Sequence, residues 1–395
     1  MADPSNSEKG AQHRHWQTQA VRAGRSIDPS TGAVTSPIHL STTFERDGSG
    51  EYPRGYVYGR LDNPNRHALE AYLAQLEGGA GAIAFASGAA AAMGILQTLR
   101  PGDRVLIAQD AYHGNHQILS RIAVPWGLEM VRVDATDMDA IAQAITPQTR
   151  LIWVETPSNP RLQITDLAAV ADLGRSHGIL TLCDNTWASP ALQNPIALGV
   201  DWVLHSTTKY IGGHGDVTGG AVIGAIAEEG EGANKGGEKF AQLRMIQQTA
   251  GAIPSPFDCW LLSRSLQTLP VRMAAHCDHA MQVAQFLQEH PAIARVHYPG
   301  LPSHPGHAIA VQQMKRFGGM ISAEVRGDRQ TAMEAVGRCQ LFTRATSLGS
   351  TESLIEHRAS IEGPGTSTPE TLLRISIGLE HPEDLMADLD QALAR

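Results

Sequence analysis

Short apolar runs recur along the first two thirds of the chain, and helix-spaced stretches separate several of them. Runs that suit strands stand at Ala82–Phe85, Arg104–Ala108, Leu151–Val154, Leu180–Cys183, Trp202–Leu204 and Ala221–Ile226. Ala89–Leu99, Met138–Ala144 and Leu167–His177 carry apolar residues at helical spacing. Strand–helix–strand alternation predicts a mostly parallel sheet covered on both faces. Ahead of it, Ala68, Leu69, Tyr72, Leu73 and Leu76 share one helix face, until Glu77-Gly78-Gly79 stops the pattern. Residues 1–60 are rich in Gly, Ser, Thr and Pro, which predicts an extended arm with a short helix near Gln17–Ala23.

The rhythm changes after Pro254 and Pro256. A helical pattern follows over Phe257–Leu269, then a long helix from Met273 to His290. Strands are expected near Met320–Val325 and Leu373–Ile377, and a closing helix at Asp384–Ala394. The fold class that results is α/β: an arm (1–60), a large domain with a mostly parallel sheet (61–255) and a smaller C-terminal α+β domain (256–395). A chain of 395 residues is long enough for both.

Composition narrows the partners. The net charge of −9, with basic residues scattered, leaves no footprint for nucleic acid. No apolar run approaches the roughly 20 residues of a membrane span. The first residues hold no apolar core of a secretory signal, so a cytoplasmic location is expected. Cys183, Cys259, Cys277 and Cys339 show no C-x-x-C spacing, which suits free thiols in a reducing compartment and gives no metal site.

In parallel α/β sheets, ligands bind beyond the carboxyl ends of strands, and the polar residues cluster there. Ser87-Gly88-Ala89 opens a helix after the first strand, where backbone N–H groups favour a phosphate and Gly88 permits close approach. Tyr112 follows the next strand and can stack on a flat ring. Asn159 lies after Leu151–Val154 and can donate to a phenolate oxygen. Asp184 ends an apolar strand, where a carboxylate is costly unless paired. Its plain alternative is a cap before Thr186. Trp202–Leu204 runs into His205-Ser206-Thr207-Thr208-Lys209. An amine beside two hydroxyls, with a carboxylate at the end of a preceding strand, describes pyridoxal 5'-phosphate. Lys209 would be the Schiff-base lysine, Ser206 and Thr208 the phosphate donors, and Asp184 the partner of the pyridine nitrogen. No G-x-G-x-x-G follows the first strand and no P-loop occurs, which argues against a nucleotide-binding protein.

The motifs run further than the site. Thr31-Gly-Ala-Val, Ser41-Thr-Thr-Phe44, Tyr58-Gly-Arg60, Asn63-Pro64, Leu76-Glu-Gly-Gly79, His205-Ser-Thr-Thr-Lys-Tyr-Ile-Gly-Gly-His214, Ser347-Leu-Gly349 and Leu372-Leu-Arg-Ile-Ser-Ile-Gly-Leu-Glu380 stand in one order. In these the chain resembles the Cys/Met-metabolism (transsulfuration) family of pyridoxal-phosphate enzymes, near its cystathionine γ-synthase and γ-lyase branch. The resemblance implies a fold-type-I transferase. It gives Lys209 the imine, Asp184 the pyridine nitrogen and Tyr112 the stacking ring, with Tyr112 and Lys209 as the acid–base pair. Gly88, Ala89, Ser206 and Thr208 would hold the phosphate. Tyr58 and Arg60 would reach the phosphate of a neighbouring subunit, so that active sites are shared in a homo-oligomer, expected to be a tetramer. Arg374 would grip the substrate α-carboxylate with Asn159 beside it, and Ser347 would tether the lysine. Two departures bear on substrate. Thr346 stands where γ-acting members often carry glutamate, and Tyr112-His-Gly-Asn115 has no reactive cysteine nearby. The implied reaction is γ-elimination or γ-replacement on cystathionine or O-acylhomoserine. Cystathionine β-lyase, O-acylhomoserine sulfhydrylase and methionine γ-lyase activities are the alternatives.

Overall fold

A computed structural model describes residues 14–22, 24, 27–226, 235–363 and 366–394. The strands, numbered in chain order, form two sheets. The larger holds β1 (Gly81–Phe85), β2 (Arg104–Ala108), β3 (Glu129–Val133), β4 (Thr149–Glu155), β5 (Leu180–Asp184), β6 (Trp202–His205) and β7 (Gly220–Gly224). Its order is β1-β7-β6-β5-β4-β2-β3. Only β7 runs antiparallel to its neighbours. The middle strands β4, β5 and β6 are buried almost throughout, because helices cover both faces, and Trp153 and Trp202 are among the largest sealed side chains.

The second sheet contains β8 (Ile293–His297), β9 (Met320–Val325), β10 (Thr343–Arg344), β11 (Leu354–His357) and β12 (Leu372–Ser376), in the order β10-β11-β12-β9-β8. It is antiparallel apart from the short β10–β11 pair. Strand alternation divides β12 between two surroundings. Leu373 and Ile375 enter the core of the second sheet. Arg374 and Ser376 face the other way, toward the large sheet, where Arg374 meets Asn159 and Ser376 Oγ accepts from Gly349 N–H.

Helix boundaries follow local chemistry. Ser87 Oγ accepts from Ala90 N–H, so the helix expected from Ala89 to Leu99 spans Gly88–Gln97. Asp137 and Asp166 cap Met138–Ala144 and Leu167–His177 at the expected bounds. The helix expected over Phe257–Leu269 ends at Leu266, and the next runs Leu269–Glu289 rather than from Met273. Pro270 is the reason: with no N–H it fits only a first helical turn, so it divides the two helices. The arm helix is Trp16–Arg22, and Ala23 lies outside the described residues. The strand expected to reach Ile226 stops at Gly224. The closing helix begins at Pro382, two residues early, and ends at Leu393.

Candidate active site

Strand ends of the large sheet deliver the expected residues to one cavity of ≈ 490 Å³. Gly88 and Ala89 follow β1, Tyr112 follows β2, Glu155 and Asn159 end or follow β4, Asp184 ends β5, and Ser206, Thr208 and Lys209 follow β6. The second sheet closes the cavity with Thr346, Ser347, Arg358 and Arg374. A larger cleft of ≈ 710 Å³ on the flank of β8 contains none of the site residues named from the sequence.

Lys209 Nζ donates to Ser347 Oγ at 2.7 Å, so the two halves of the molecule meet on the amine. Ser347 holds φ at 111°, an unusual value for a residue with a side chain. Burial and, next, the charge of Arg374 push the Lys209 ammonium down to about 8. At neutral pH roughly a tenth of such an amine is an unprotonated nucleophile, against well under a thousandth of an ordinary lysine.

Asp184 forms the cavity floor. Its Oδ1 accepts from Thr186 N–H at 3.1 Å and Thr186 Oγ1 at 2.6 Å, and its Oδ2 faces Asn115 Nδ2 at 3.5 Å. The helix cap weighed as an alternative is not what forms: the next helix begins at Ser189, and Asp184 makes a side-chain turn onto Thr186 that leaves its carboxylate lining the cavity. Burial, the largest cause, raises its pKa, the response of a buried carboxylate with no full cation beside it. Thr186 Oγ1 also accepts from Ser206 N–H at 2.9 Å, tying the floor to the lysine loop.

Tyr112 leans over the cavity, and its backbone N–H donates to Glu155 Oε2 at 2.6 Å. A side chain on Gly114 would sit 2.3 Å from the Tyr112 ring, so that glycine is what lets the ring lie where it does. Gly88 is required in the same sense, since a Cβ there would meet Ser206 Cβ at 2.9 Å. The backbone N–H groups of Gly88 and Ala89 donate to no protein acceptor among the described residues, as expected of open helix-start donors. Thr208 differs from the expectation of a free donor. Its hydroxyl donates to Gly219 O at 3.2 Å and accepts from Gly219 N–H at 3.0 Å.

Arg374 is buried and pushed down to about 10 by burial first and Arg358 second. It donates from Nη1 to Asn159 Oδ1 at 3.2 Å and from Nη2 to Ser347 O at 3.1 Å. Glu356, directly opposite on β11, lies 2.7 Å from its Nη2. Tyr58 and Arg60 stand apart from this cavity. Arg60 Nη1 donates to Gln248 O at 2.6 Å, and its guanidinium lies over the Tyr58 ring at 5.8 Å.

Glu155, Asn115, Thr186, Glu356 and Arg358 were not singled out from the sequence. Thr186 carried a signal, because Asp-x-Thr after a strand favours a side-chain turn onto the carboxylate. Glu356 and Arg358 carried no such signal, because their burial depends on the pairing of β11 with β12. Among the described residues no His/Cys/Asp/Glu cluster could hold a metal, and no helix is long and apolar enough to cross a membrane.

The residues fit pyridoxal phosphate: open amide donors at a helix start, a carboxylate floor without a cation, and a partly neutral lysine between them. Comparison with known proteins agrees. A cystathionine gamma-synthase from Mycobacterium bovis is 49% identical over 382 residues, covering 95% of this chain and 96% of that protein. A cystathionine beta-lyase from Coxiella burnetii is 44% identical, covering 96% of this chain and 98% of its own. The crystal structure of a cystathionine gamma-lyase from Lactobacillus plantarum, in complex with L-serine, superposes with a TM-score of 0.89 at 38% identity, covering 96% and 98%. The profile of the Cys/Met metabolism PLP-dependent enzymes matches residues 17–394. The chain belongs to that family, and it is a pyridoxal-phosphate enzyme of sulfur amino-acid metabolism.

Proposed function

We propose that this enzyme performs γ-elimination or γ-replacement on cystathionine or O-acylhomoserine. The observation that carries the reading is the placement of two proton carriers, Lys209 and Tyr112, in one cavity with the Arg374–Asn159 pair. A γ-reaction moves protons at both Cα and Cβ before the γ-substituent leaves, so it asks more of its acid–base groups than a β-reaction. Kinship with the gamma-synthase named above supports the same branch.

When bound, pyridoxal phosphate supplies the electrophilic carbon for the amines and a ring that stabilises negative charge at the substrate Cα. The protein does the rest. Arg374 holds the substrate α-carboxylate, and Asn159 fixes the plane of its guanidinium. Lys209 Nζ, steered by Ser347 Oγ, takes the Cα proton and then serves at Cβ. Tyr112 Oη moves a proton at the departing or arriving sulfur or oxygen. Asp184, held by Thr186, keeps the ring nitrogen protonated. Gly88, Ala89 and Ser206 receive the phosphate, while Thr208 must turn its hydroxyl from Gly219 to join them.

Tyr58 and Arg60 are exposed on the arm side of the chain, away from its own cavity, which suits groups offered to a neighbour's phosphate. On this reading the enzyme is a homo-oligomer, most simply a tetramer, with active sites shared between subunits. We place it in the cytoplasm, where a reducing environment suits its free cysteines Cys183, Cys259, Cys277 and Cys339. We keep the division into an arm (1–60), a large domain (61–255) and a C-terminal domain (256–395), which leaves one sheet in each of the last two.

Cystathionine β-lyase activity is the second reading, and the kinship with the beta-lyase above supports it. Thr346, on the cavity wall, offers no charge for a distal ammonium, so neither direction is favoured by that position. Product analysis with L-cystathionine separates them. Cysteine with 2-oxobutyrate identifies γ-elimination, and homocysteine with pyruvate overturns it in favour of the β-lyase. If cystathionine is refused, O-acylhomoserine with cysteine tests γ-replacement, and failure there too removes the γ-reading.

A further inference from the structure

Arg374, which the proposed reading assigns to the substrate α-carboxylate, already has a carboxylate beside it. A guanidinium grips a carboxylate through one of two forks, Nε with Nη2 or Nη1 with Nη2, so Nη2 belongs to both. Here Nη2 donates to Ser347 O, and Glu356 Oε1 stands 2.7 Å away. The Glu356 oxygen takes its hydrogen bond from elsewhere, from Arg358 Nη1 at 2.9 Å. Glu356 therefore offsets the charge of Arg374 while being anchored to a different arginine. An arriving substrate carboxylate meets that negative charge at the nitrogen it needs.

Two loose ends mark where Glu356 can go. Its Oε2 is buried and without a hydrogen-bond partner, a costly state for a carboxylate. Arg358 donates from Nε to Glu362 at 2.8 Å and from Nη1 to Glu356, and no hydrogen bond from its Nη2 reaches a described residue. A small turn of the Glu356 carboxylate joins Oε2 to that nitrogen and completes an end-on fork on Arg358. Strand pairing keeps the partners in place, since Glu356 is the cross-strand neighbour of Arg374. Arg358, two residues further on, is nearly sealed and lines the same cavity.

We propose that Glu356 is a resident stand-in for the substrate carboxylate: it sits on Arg374 in the free enzyme and passes wholly to Arg358 when substrate binds. Glu356 and Arg358 are positioning residues, and no covalent bond changes. The exchange makes the site selective for ligands with a free α-carboxylate, because an ester or amide cannot displace Glu356. The inference rests on Arg374 being the carboxylate grip.

The test is a titration of holoenzyme with L-norleucine, which has no γ-leaving group, against L-norleucinamide, which lacks the carboxylate. Binding is read from the cofactor's visible absorbance. Glu356→Gln is expected to tighten norleucine about tenfold, and Arg358→Gln to weaken it about tenfold, the scale of one charge-assisted pair in a partly dry site. Arg358→Lys, which keeps the charge but cannot form the fork, is expected between the parent and Arg358→Gln. The double variant Glu356→Gln/Arg358→Gln is expected to bind as tightly as Glu356→Gln alone, because nothing remains to be parked. Norleucinamide is expected to bind all of them alike. A merely structural role predicts the reverse: both single variants weaker and the double weakest. That result, or failure of Glu356→Gln to tighten norleucine, overturns the exchange. Should Glu356→Gln not retain cofactor, Glu356→Asp withdraws the carboxylate from Arg374 while leaving Arg358 a partner, and it is expected to tighten norleucine too. If Arg374→Leu leaves norleucine affinity unchanged, the reading of Arg374 has failed. If it weakens norleucine while Glu356→Gln does not tighten it, only the exchange has failed.

Discussion

The two sides of the cavity handle charge in opposite ways. On the side of the parallel strands, the ionisable groups hydrogen-bond only to neutral partners: Asp184 to Thr186 and Asn115, Glu155 to the Tyr112 amide, Lys209 to Ser347. Their pKa values move accordingly, upward for Asp184 and Glu155 and downward for Lys209, with burial the largest cause each time. On the side of the antiparallel sheet, Arg374, Glu356, Arg358 and Glu362 form a chain of alternating sign. Lone charges are incomplete until a bound group supplies the missing partner. Paired charges are complete already, and a ligand must exchange with one of them. The first arrangement suits a cofactor that stays, and the second a substrate that comes and goes.

That contrast can be broken by substitution, and the largest effect belongs to the strand-end side. On the proposed reading Lys209 is both the nucleophile and the base, so Lys209→Ala is expected to abolish turnover, a loss of at least roughly a thousandfold. It should also lose the visible absorbance of lysine-bound cofactor. An unchanged spectrum would remove Lys209 from its role. Asp184→Asn keeps the shape but not the charge, and a loss of about a hundredfold in kcat with cofactor retained is expected. A loss of cofactor instead would make Asp184 an anchor rather than an electronic partner.

Arg374→Leu probes the paired side. Glu356 keeps Arg358, so the fold should survive, while kcat/KM falls by roughly thirty- to a thousandfold, the range for deleting one partner of a buried charge-assisted pair. Near-parent kcat/KM would move the carboxylate site elsewhere. If the variant instead unfolds, the chain of alternating charge is structural first, and the contrast between the two sides loses its functional meaning.

The pH dependence of cofactor loading sharpens the description of Lys209. Only its neutral amine attacks the aldehyde, and burial sets its pKa at about 8. Because the pKa is lowered, the neutral fraction rises about tenfold per pH unit up to that value and levels off above it. Stopped-flow loading of apoenzyme should show this bend. A rate still climbing tenfold per unit toward pH 10 would mean an ordinary, solvated lysine.

The strand-end side was largely legible in the sequence because its chemistry is local. A parallel strand buried on both faces is a continuous apolar run, as in Leu180–Cys183 and Trp202–Leu204, and the polar residues at its carboxyl end must lie at the ligand-binding edge. The strands not foreseen lie where that rule fails. β3 is an edge strand with Glu129 and Arg132 exposed, so its pattern is mixed. β11 buries Glu356 and His357, polar side chains whose partners are Arg358, Arg374 and the Glu370 carbonyl. No local pattern announces a strand whose polar residues find partners on other elements. Arg374 came from resemblance alone, and its place beside Glu356 is a matter of strand register.

Ser347 is where the two sides touch, and its substitution gives the smallest effect and the finest discrimination. Its hydroxyl holds Lys209, and its backbone sits at φ 111°, a region costly for any residue with a Cβ. Ser347→Ala removes the hydroxyl and keeps the strain, whereas Ser347→Gly removes both. The tether should therefore fail equally in the two variants, lowering kcat about tenfold, the scale of one hydrogen bond to a charged group. Stability should differ between them. Ser347→Gly relieves an unfavourable conformation, so its holoenzyme should melt about 1–3 °C above Ser347→Ala. Equal melting temperatures would mean that the backbone at 347 relaxes once the hydroxyl is gone, and that the lysine tether itself imposes the strain. Equal kcat with a gap in stability would mean the reverse: the loop between β10 and β11 sets the conformation, and the lysine borrows a hydroxyl that the fold has already placed.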